Sequence, residues 1–583
     1  MSGTVADLLD ATAARRPERT VRFWSEDQSV SYAELASAAR ALAAELVAQG
    51  VRPGDAVGVL SPNAPEFFVG LFAVAAAGGA ACPLPLPFGL RDIDGYGRRL
   101  ARIAEVARMR TVLCSPKLGP FLDHLTAILP SVRFLTTPGT TPGTASGTTP
   151  STTPSTASGT TLGGAAPLPS VTPDDVAILQ FTSGSTAQPK GVVLTHRNVL
   201  AGLAAISNGI GLGDNDRGGF WLPLFHDMGL FGVLAGFQAA IPMHIWSPAA
   251  FIKRPDRWLR EFQASGATIS AMPNFGYDML TRAVSAAEAA ELDLGRWRIA
   301  FNGAEPVVAQ SVADFTARFA PAGFRPEAMF PVYGMAEATL AVTFPPLGRA
   351  PAFDRVHRDA LAAGRAVRMT QGTPGTLGTP GTSGAPDLPA ARVVAGVGRP
   401  VAGLELRVVD PATGDPVPDD VVGEIQIRGA SVTCGYLTEG AASPSGVGPD
   451  GWLRTGDLAY QRDGDVYVTG RLKEMITVRG ANYYPQDVEL IARTVPGVFR
   501  GNCAAVAGAA GAEAGGPEEV VLVAETALTA AAADQLAADL RRRVAAELGL
   551  AAVTVRLVKP RTIPRTSSGK VRRLATRDIP GRT

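Results

Sequence analysis

Apolar residues in the first 130 positions recur alternately with helical spacing and in short continuous runs. Ser31 stands before one apolar run with Glu34 three residues on, a capping box that predicts a helix over 32–49. Ala56-Val-Gly-Val-Leu60 reads as a short buried strand, residues 65–77 as a helix and 80–84 as a second strand. This alternation predicts an α/β layered domain. Residues 67–90 carry no charge, a stretch long enough to cross a bilayer. Gly78-Gly79 interrupts it, and Pro83, Pro85 and Pro87 follow, so a helix, a turn and a buried strand are expected instead.

A long α/β pattern covers 171–343. Beyond it short strands dominate, at Leu404-Glu-Leu-Arg-Val-Val409, Glu424-Ile-Gln-Ile-Arg428 and Val466-Tyr-Val-Thr469, predicting a small β-rich subdomain. From about Glu474 helical and strand patterns mix again, as in a separate lobe. Residues 136–167 and 371–386 are nearly all Thr, Gly, Ser, Pro and Ala. Such tracts bury too little apolar surface to offset their ordering entropy and are predicted to be flexible loops. No internal repeat is seen.

Composition narrows the function classes. At 583 residues, 46% hydrophobic and 18% charged, the chain is globular and expected to hold several domains. With 54 basic against 53 acidic residues it has no footprint for nucleic acid or an anionic membrane. The widely spaced Cys82, Cys114, Cys434 and Cys503 match no zinc or disulfide pattern. The N-terminus has no basic region before an apolar core, so no signal peptide is expected. Together these point to a cytoplasmic protein.

The candidate chemistry begins at Phe181-Thr-Ser-Gly-Ser-Thr-Ala-Gln-Pro-Lys-Gly191, after a strand-like run. Small residues let backbone N–H groups approach a polyphosphate. Thr182, Ser183, Ser185 and Thr186 add hydroxyls around Gly184, and Lys190 adds a positive charge. The run is not a Walker pattern. It resembles the phosphate loop of the ANL superfamily: acyl-CoA synthetases, peptide-synthetase adenylation domains, luciferases and fatty acyl-AMP ligases. Matching motifs continue in order to Lys570, so the resemblance spans almost the whole chain.

That resemblance implies a large N-terminal domain, 1–472, of two α/β subdomains and a small β-barrel. A small mobile α+β domain, 473–583, would follow, hinged at Lys473. Asn302-Gly303-Ala304-Glu305-Pro306 resembles the adenine loop. In Tyr333-Gly334-Met335-Ala-Glu337-Ala-Thr339, Tyr333 would stack on adenine, Glu337 hold Mg²⁺, and Thr339 lie near the α-phosphate of ATP. Thr455-Gly-Asp457 and Arg471 would bind the ribose. Lys570, in Pro564-Arg-Thr-Ser-Ser-Gly-Lys570, would bridge the acid and the α-phosphate.

Three segments resemble fatty acyl-AMP ligases in particular: Trp221-Leu-Pro-Leu-Phe225-His226-Asp-Met228-Gly229, Pro273-Asn274-Phe275-Gly-Tyr277-Asp278, and Asn482-Tyr-Tyr-Pro-Gln-Asp487. The first two would border an acyl tunnel, with His226 as its gate. The 57 residues between Leu340 and Gly398 resemble that group's insertion. The implied reaction joins a fatty acid to AMP, then passes the acyl group to the phosphopantetheine of an acyl carrier protein. The alternatives are a fatty acyl-CoA ligase, an amino-acid-adenylating enzyme using Asp227 or Asp278 for the amine, and a non-catalytic relative.

Overall fold

The computed structural model describes residues 3–86, 93–138, 167–182, 189–369, 391–438, 441–443, 446–478, 481–508, 519–550, 553–565 and 571–581. Residues 139–166 and 371–386, within the tracts expected to be loops, lie outside them.

The uncharged stretch forms a helix, Pro65–Ala76, and a strand, Ala80–Pro83. The helix is buried from Pro65 to Ala75, because it packs between the strands Ala56–Leu60 and Ala80–Pro83 and the helices Val5–Arg15 and Tyr32–Ala48, with no solvent face to keep polar. Phe68 and Phe72 meet Phe237 of the Asp227–Gln238 helix at ring-centre distances of 5.1 and 5.6 Å. No described helix is long and apolar enough to cross a membrane. The capping box at Ser31 and Glu34 forms and opens the helix Tyr32–Ala48.

One sheet has eight strands. One half, Ala80–Pro83, Ala56–Leu60, Thr111–Cys114 and the edge strand Arg133–Thr136, is parallel. At its other side Val176–Thr182 pairs antiparallel with Lys190–Thr195, and Tyr436–Thr438 adds to the latter. The second sheet has seven strands. Met329–Pro331, Ile299–Asn302, Ile269–Met272 and Gly218–Phe220 run parallel in that order, so their carboxyl ends share one edge. Ligands of open α/β sheets bind at such an edge.

The β-rich part is a four-stranded antiparallel sheet, Leu404–Val409, Gly423–Gly429, Leu453–Arg462 and Asp465–Arg471. The hairpin Phe353–His357 with Ala391–Ala395 lies beside it, and Gly396 bridges to Tyr467. These pieces stand where the small barrel was expected. The smaller C-terminal domain has a three-stranded sheet, Cys503–Ala507, Val520–Glu525 and Val553–Val558, carrying the helices Pro485–Arg493 and Ala530–Leu548 over its own apolar core, and a strand pair, Ile476–Val478 with Ala481–Tyr483.

Candidate active site

Four segments leave the shared sheet edge and converge. Tyr333–Met335 turns through Ala336–Ala338 into the strand Leu340–Phe344. The turn needs Gly334, since a Cβ there would sit 2.0 Å from the Leu340 carbonyl oxygen. The Tyr333 hydroxyl donates to Asp457 at 2.6 Å, and Arg471 Nε lies 2.8 Å from the other Asp457 oxygen. Asp457 and Arg471 are register partners on neighbouring strands, so the sheet itself sets their spacing. The carboxylate has acceptor capacity beyond these two contacts, which suits a vicinal diol. Burial and the Asp457 charge push the Tyr333 phenol well above its usual range, so it stays a hydrogen donor.

Glu337 faces the same space. Its carboxyl is raised by burial, a rise that the hydrogen bond from Tyr436, at 2.8 Å, opposes. The Thr433 N–H donates to the Glu337 carbonyl at 2.7 Å. Lys190 Nζ lies 5.9 Å from the Tyr436 ring centre. Tyr436 therefore links the lysine of the phosphate loop to the carboxylate expected to hold Mg²⁺. Sequence reading missed Tyr436, as it missed Gln180, which donates to the Phe225 carbonyl at 2.7 Å and ties the phosphate strand to the His226 segment. Thr182 pairs in register with Lys190, so the loop between them closes a hairpin. Ser183, Gly184, Ser185 and Thr186 lie outside the described residues, as does Lys570.

Asn302 ends its strand fully buried, and Gly303 and Ala304 continue towards Val332. A Cβ on Gly303 would meet Val332 Cγ2 at 2.8 Å, so the close approach requires glycine. Glu305 turns away, accepting the Phe275 N–H at 2.7 Å. His226 caps the Asp227–Gln238 helix through its backbone, its ring 4.7 Å from that of Phe225. Lys473 is exposed in the turn Leu472–Glu474, between the four-stranded sheet and the C-terminal domain.

An apolar cavity runs from this cluster into the large domain. Asp227, Ala304, Tyr333 and Gly334 line it beside the nucleotide motifs, and Met228, Gly232 and Gly236 continue it along the helix. Among the described residues, the polar side chains lining it are Asp227 and Tyr333.

Several expectations are corrected here. Thr339 is fully buried and spends its hydroxyl on the Ser431 and Asn198 carbonyls, at 2.9 and 3.3 Å. At φ 50° it locks the turn against Gly202 and does not reach the cavity. Tyr277 is a core residue whose hydroxyl donates to the Phe301 carbonyl at 2.8 Å. Asn274 bonds Ser311 and the Val308 N–H, fixing two helices. Trp221 stacks on Phe251 at 3.8 Å, and neither it, Phe225 nor Phe275 lines the cavity. Of the six residues expected to border the acyl tunnel, Met228 alone is among the described residues lining this cavity. The walls come instead from residues without a motif, such as Ile206, Phe220 and Phe344, recognisable in sequence only as apolar positions.

Among the described residues no cluster of three or more metal-ligating side chains occurs. A lone carboxylate beside phosphate oxygens is nonetheless the donor set Mg²⁺ accepts.

Comparison with known proteins agrees with this arrangement. The AMP-binding enzyme family model matches residues 9–437. A medium-chain fatty acid–[acyl-carrier-protein] ligase of Moorena producens is 33% identical, over 95% of this chain and 90% of its own. A long-chain fatty acid–AMP ligase of Mycolicibacterium smegmatis is 32% identical, over 94% and 88%. One of the solved fatty acyl-adenylate ligases of E. coli and L. pneumophila superposes with a TM-score of 0.84 at 31% identity, covering 98% of this chain and 97% of its own. The chain therefore belongs to the AMP-binding enzyme family, within the ANL superfamily of ATP-dependent, adenylate-forming acid ligases.

Proposed function

We propose that this protein is a fatty acyl-AMP ligase that hands its acyl group to an acyl carrier protein. The observation that carries the reading is the apolar cavity, which opens on Tyr333, Ala304 and Asp227 and is lined by hydrocarbon beyond them. A fatty tail buries its methylenes there at about 0.8 kcal/mol each. The relatives named as fatty-acid ligases support the same substrate class.

In this reading ATP lies on the 182–190 loop, its adenine against Tyr333 and the 302–305 loop. Asp457 and Arg471 hold the ribose, and Lys190 neutralises phosphate charge. Glu337, oriented by Tyr436, would hold Mg²⁺, which supplies charge neutralisation on the phosphates. A carboxylate oxygen of the acid attacks the α-phosphorus in line, the bond to the bridging oxygen breaks, and pyrophosphate leaves. Lys570 stabilises the charge that builds on the α-phosphate. We set the domain boundary at 472/473, with Lys473 as the pivot that brings the C-terminal domain round. The carrier's phosphopantetheine thiol then attacks the acyl carbon, and AMP departs.

The test is intact mass spectrometry of products from Mg-ATP, fatty acids and either CoA or a holo acyl carrier protein. Acyl-AMP that persists with CoA and is consumed by carrier protein is the expected result. Efficient acyl-CoA formation would move the chain to the CoA ligases. Asp227, an acid in an otherwise apolar wall, is the one feature that favours an amino-acid substrate. Adenylation of an α-amino acid in preference to its deamino counterpart would support that alternative.

A further inference from the structure

The far end of the cavity is built differently from its mouth. The helices His196–Gly209 and Asp227–Gln238 both start at the nucleotide side, one after the phosphate-loop strand and the other at His226. The second lines the cavity from Asp227 to Gly236, ten residues and so about 14 Å of length. Past the helix ends, Ile210, Leu212 and Ile241 line the cavity with Phe344. None of these can accept or donate a side-chain hydrogen bond.

The segment carrying Ile210 and Leu212 is clamped from outside the cavity. Arg298 donates to the Ile210 carbonyl at 2.8 Å and the Gly211 carbonyl at 3.3 Å. The same guanidinium pairs bidentately with Asp216, at 2.6 and 2.7 Å. Asp216 in turn accepts the Gly213 N–H at 3.0 Å and the Thr268 hydroxyl at 2.8 Å. Both ends of the 210–216 segment are thus tied to one planar cation. A bidentate pair fixes orientation as well as distance.

Resting on the fatty acyl-AMP ligase reading, we infer that the 210–216 segment is the stop of the acyl tunnel. It admits an aliphatic tail without a polar terminus and sets the longest chain accepted. Arg298 and Asp216 are positioning residues for that stop. A hydroxyl or aromatic phenol at the tail's end would be buried without a partner, since the tunnel's two polar side chains stand at its mouth.

The experiment measures kcat/KM for acyl-AMP formation with octanoic, decanoic, dodecanoic, tetradecanoic and hexadecanoic acids, and with the ω-hydroxy form of the best substrate. Wild-type protein should show a sharp upper limit and roughly tenfold or greater discrimination against the ω-hydroxy acid. Leu212→Ala should move the limit to longer acids. Gly232→Leu should move it to shorter ones, because the nearest atom to a Cβ there belongs to Phe220, at 3.4 Å, and the added side chain enters the tunnel midway. The double variant Arg298→Met/Asp216→Leu removes the clamp without stranding a buried charge. It should broaden the limit towards longer acids, a change that lowered stability alone would not produce.

A wild-type limit that none of these variants moves would overturn the stop. Equal use of the ω-hydroxy acid would overturn the polarity claim. Wild-type protein that adenylates no fatty acid would overturn the function reading, and this inference with it.

Discussion

A single phenol, that of Tyr436, joins two parts of the site that lie far apart in sequence. It donates to Glu337 and sits beneath Lys190. Tyr436→Phe removes one hydrogen bond to a charged group, worth about 1.5 kcal/mol. The Mg²⁺ concentration for half-maximal pyrophosphate release should rise roughly tenfold, with stability little changed. Thr339 behaves in the opposite way. Thr339→Val strands two carbonyls and should lower the unfolding free energy by about 1–3 kcal/mol, while the folded fraction keeps its activity. Loss of activity in fully folded Thr339→Val would restore a catalytic role. His196 gives the pH dependence. It is fully buried, its Nδ1 accepts the Val5 N–H at 3.0 Å, and burial holds its imidazole down at about 4. The unfolded chain binds a proton near pH 6.5 and the folded chain does not. Stability is therefore full above pH 6.5 and falls as pH drops towards 4, by about 2 kcal/mol at pH 5. Urea midpoints at pH 7 and pH 5 should differ less in His196→Asn.

The Asp227–Gln238 helix serves both the fold and the tunnel. Its buried side meets Tyr32, Phe68 and Phe72 through Phe237, Gly232 leaves room for the cavity, and Gly236 lies against Met243, whose Sδ a Cβ would meet at 2.4 Å. Phe237→Ala should cost about 3–5 kcal/mol in a urea titration. This helix also shows what was legible. The Pro65–Ala76 helix was legible, because apolar runs bounded by Gly and Pro admit few readings, but the Asp227–Gln238 helix was legible only as part of the long α/β pattern of 171–343. Which of its faces borders the tunnel was not. A glycine in a helix looks the same in sequence whether it lies against a methionine or against empty space.

Across the two domains Tyr484 and Met475 join an apolar cluster with Val356, Leu361, Tyr460 and Tyr467, and two arginines add specific contacts. Arg392 stacks on Tyr484 with its guanidinium 4.0 Å from the ring centre, pairs with Asp487 at 3.3 Å and donates to the Thr469 carbonyl. Arg358 donates to the Glu547 carbonyl at 3.1 Å. Arg392→Leu should weaken docking of the small domain by about 2 kcal/mol or more. Limited proteolysis near residue 473 should then speed up at least tenfold, with the far-ultraviolet circular dichroism unchanged. A cleavage rate equal to that of the wild type would mean that Arg392 does not hold the domains together.

Sequence alone determined the α/β class and the family, and it singled out the polar groups that the structure gathers beside the cavity. Such groups are specified by chemistry: Asp457, Arg471, Glu337 and Lys190 each need a particular side chain, so each leaves a motif. Only the tertiary structure decided the tunnel and its stop. Ile206, Ile210, Leu212 and Phe344 are interchangeable with other apolar residues as letters in a chain. They become a binding surface only where two helices, a sheet edge and a clamped loop leave space between them. For the same reason Thr339, Tyr277 and Asn274 sit within recognisable motifs yet serve the framework. A motif fixes which residues occur together, whereas packing fixes which of them face the cavity.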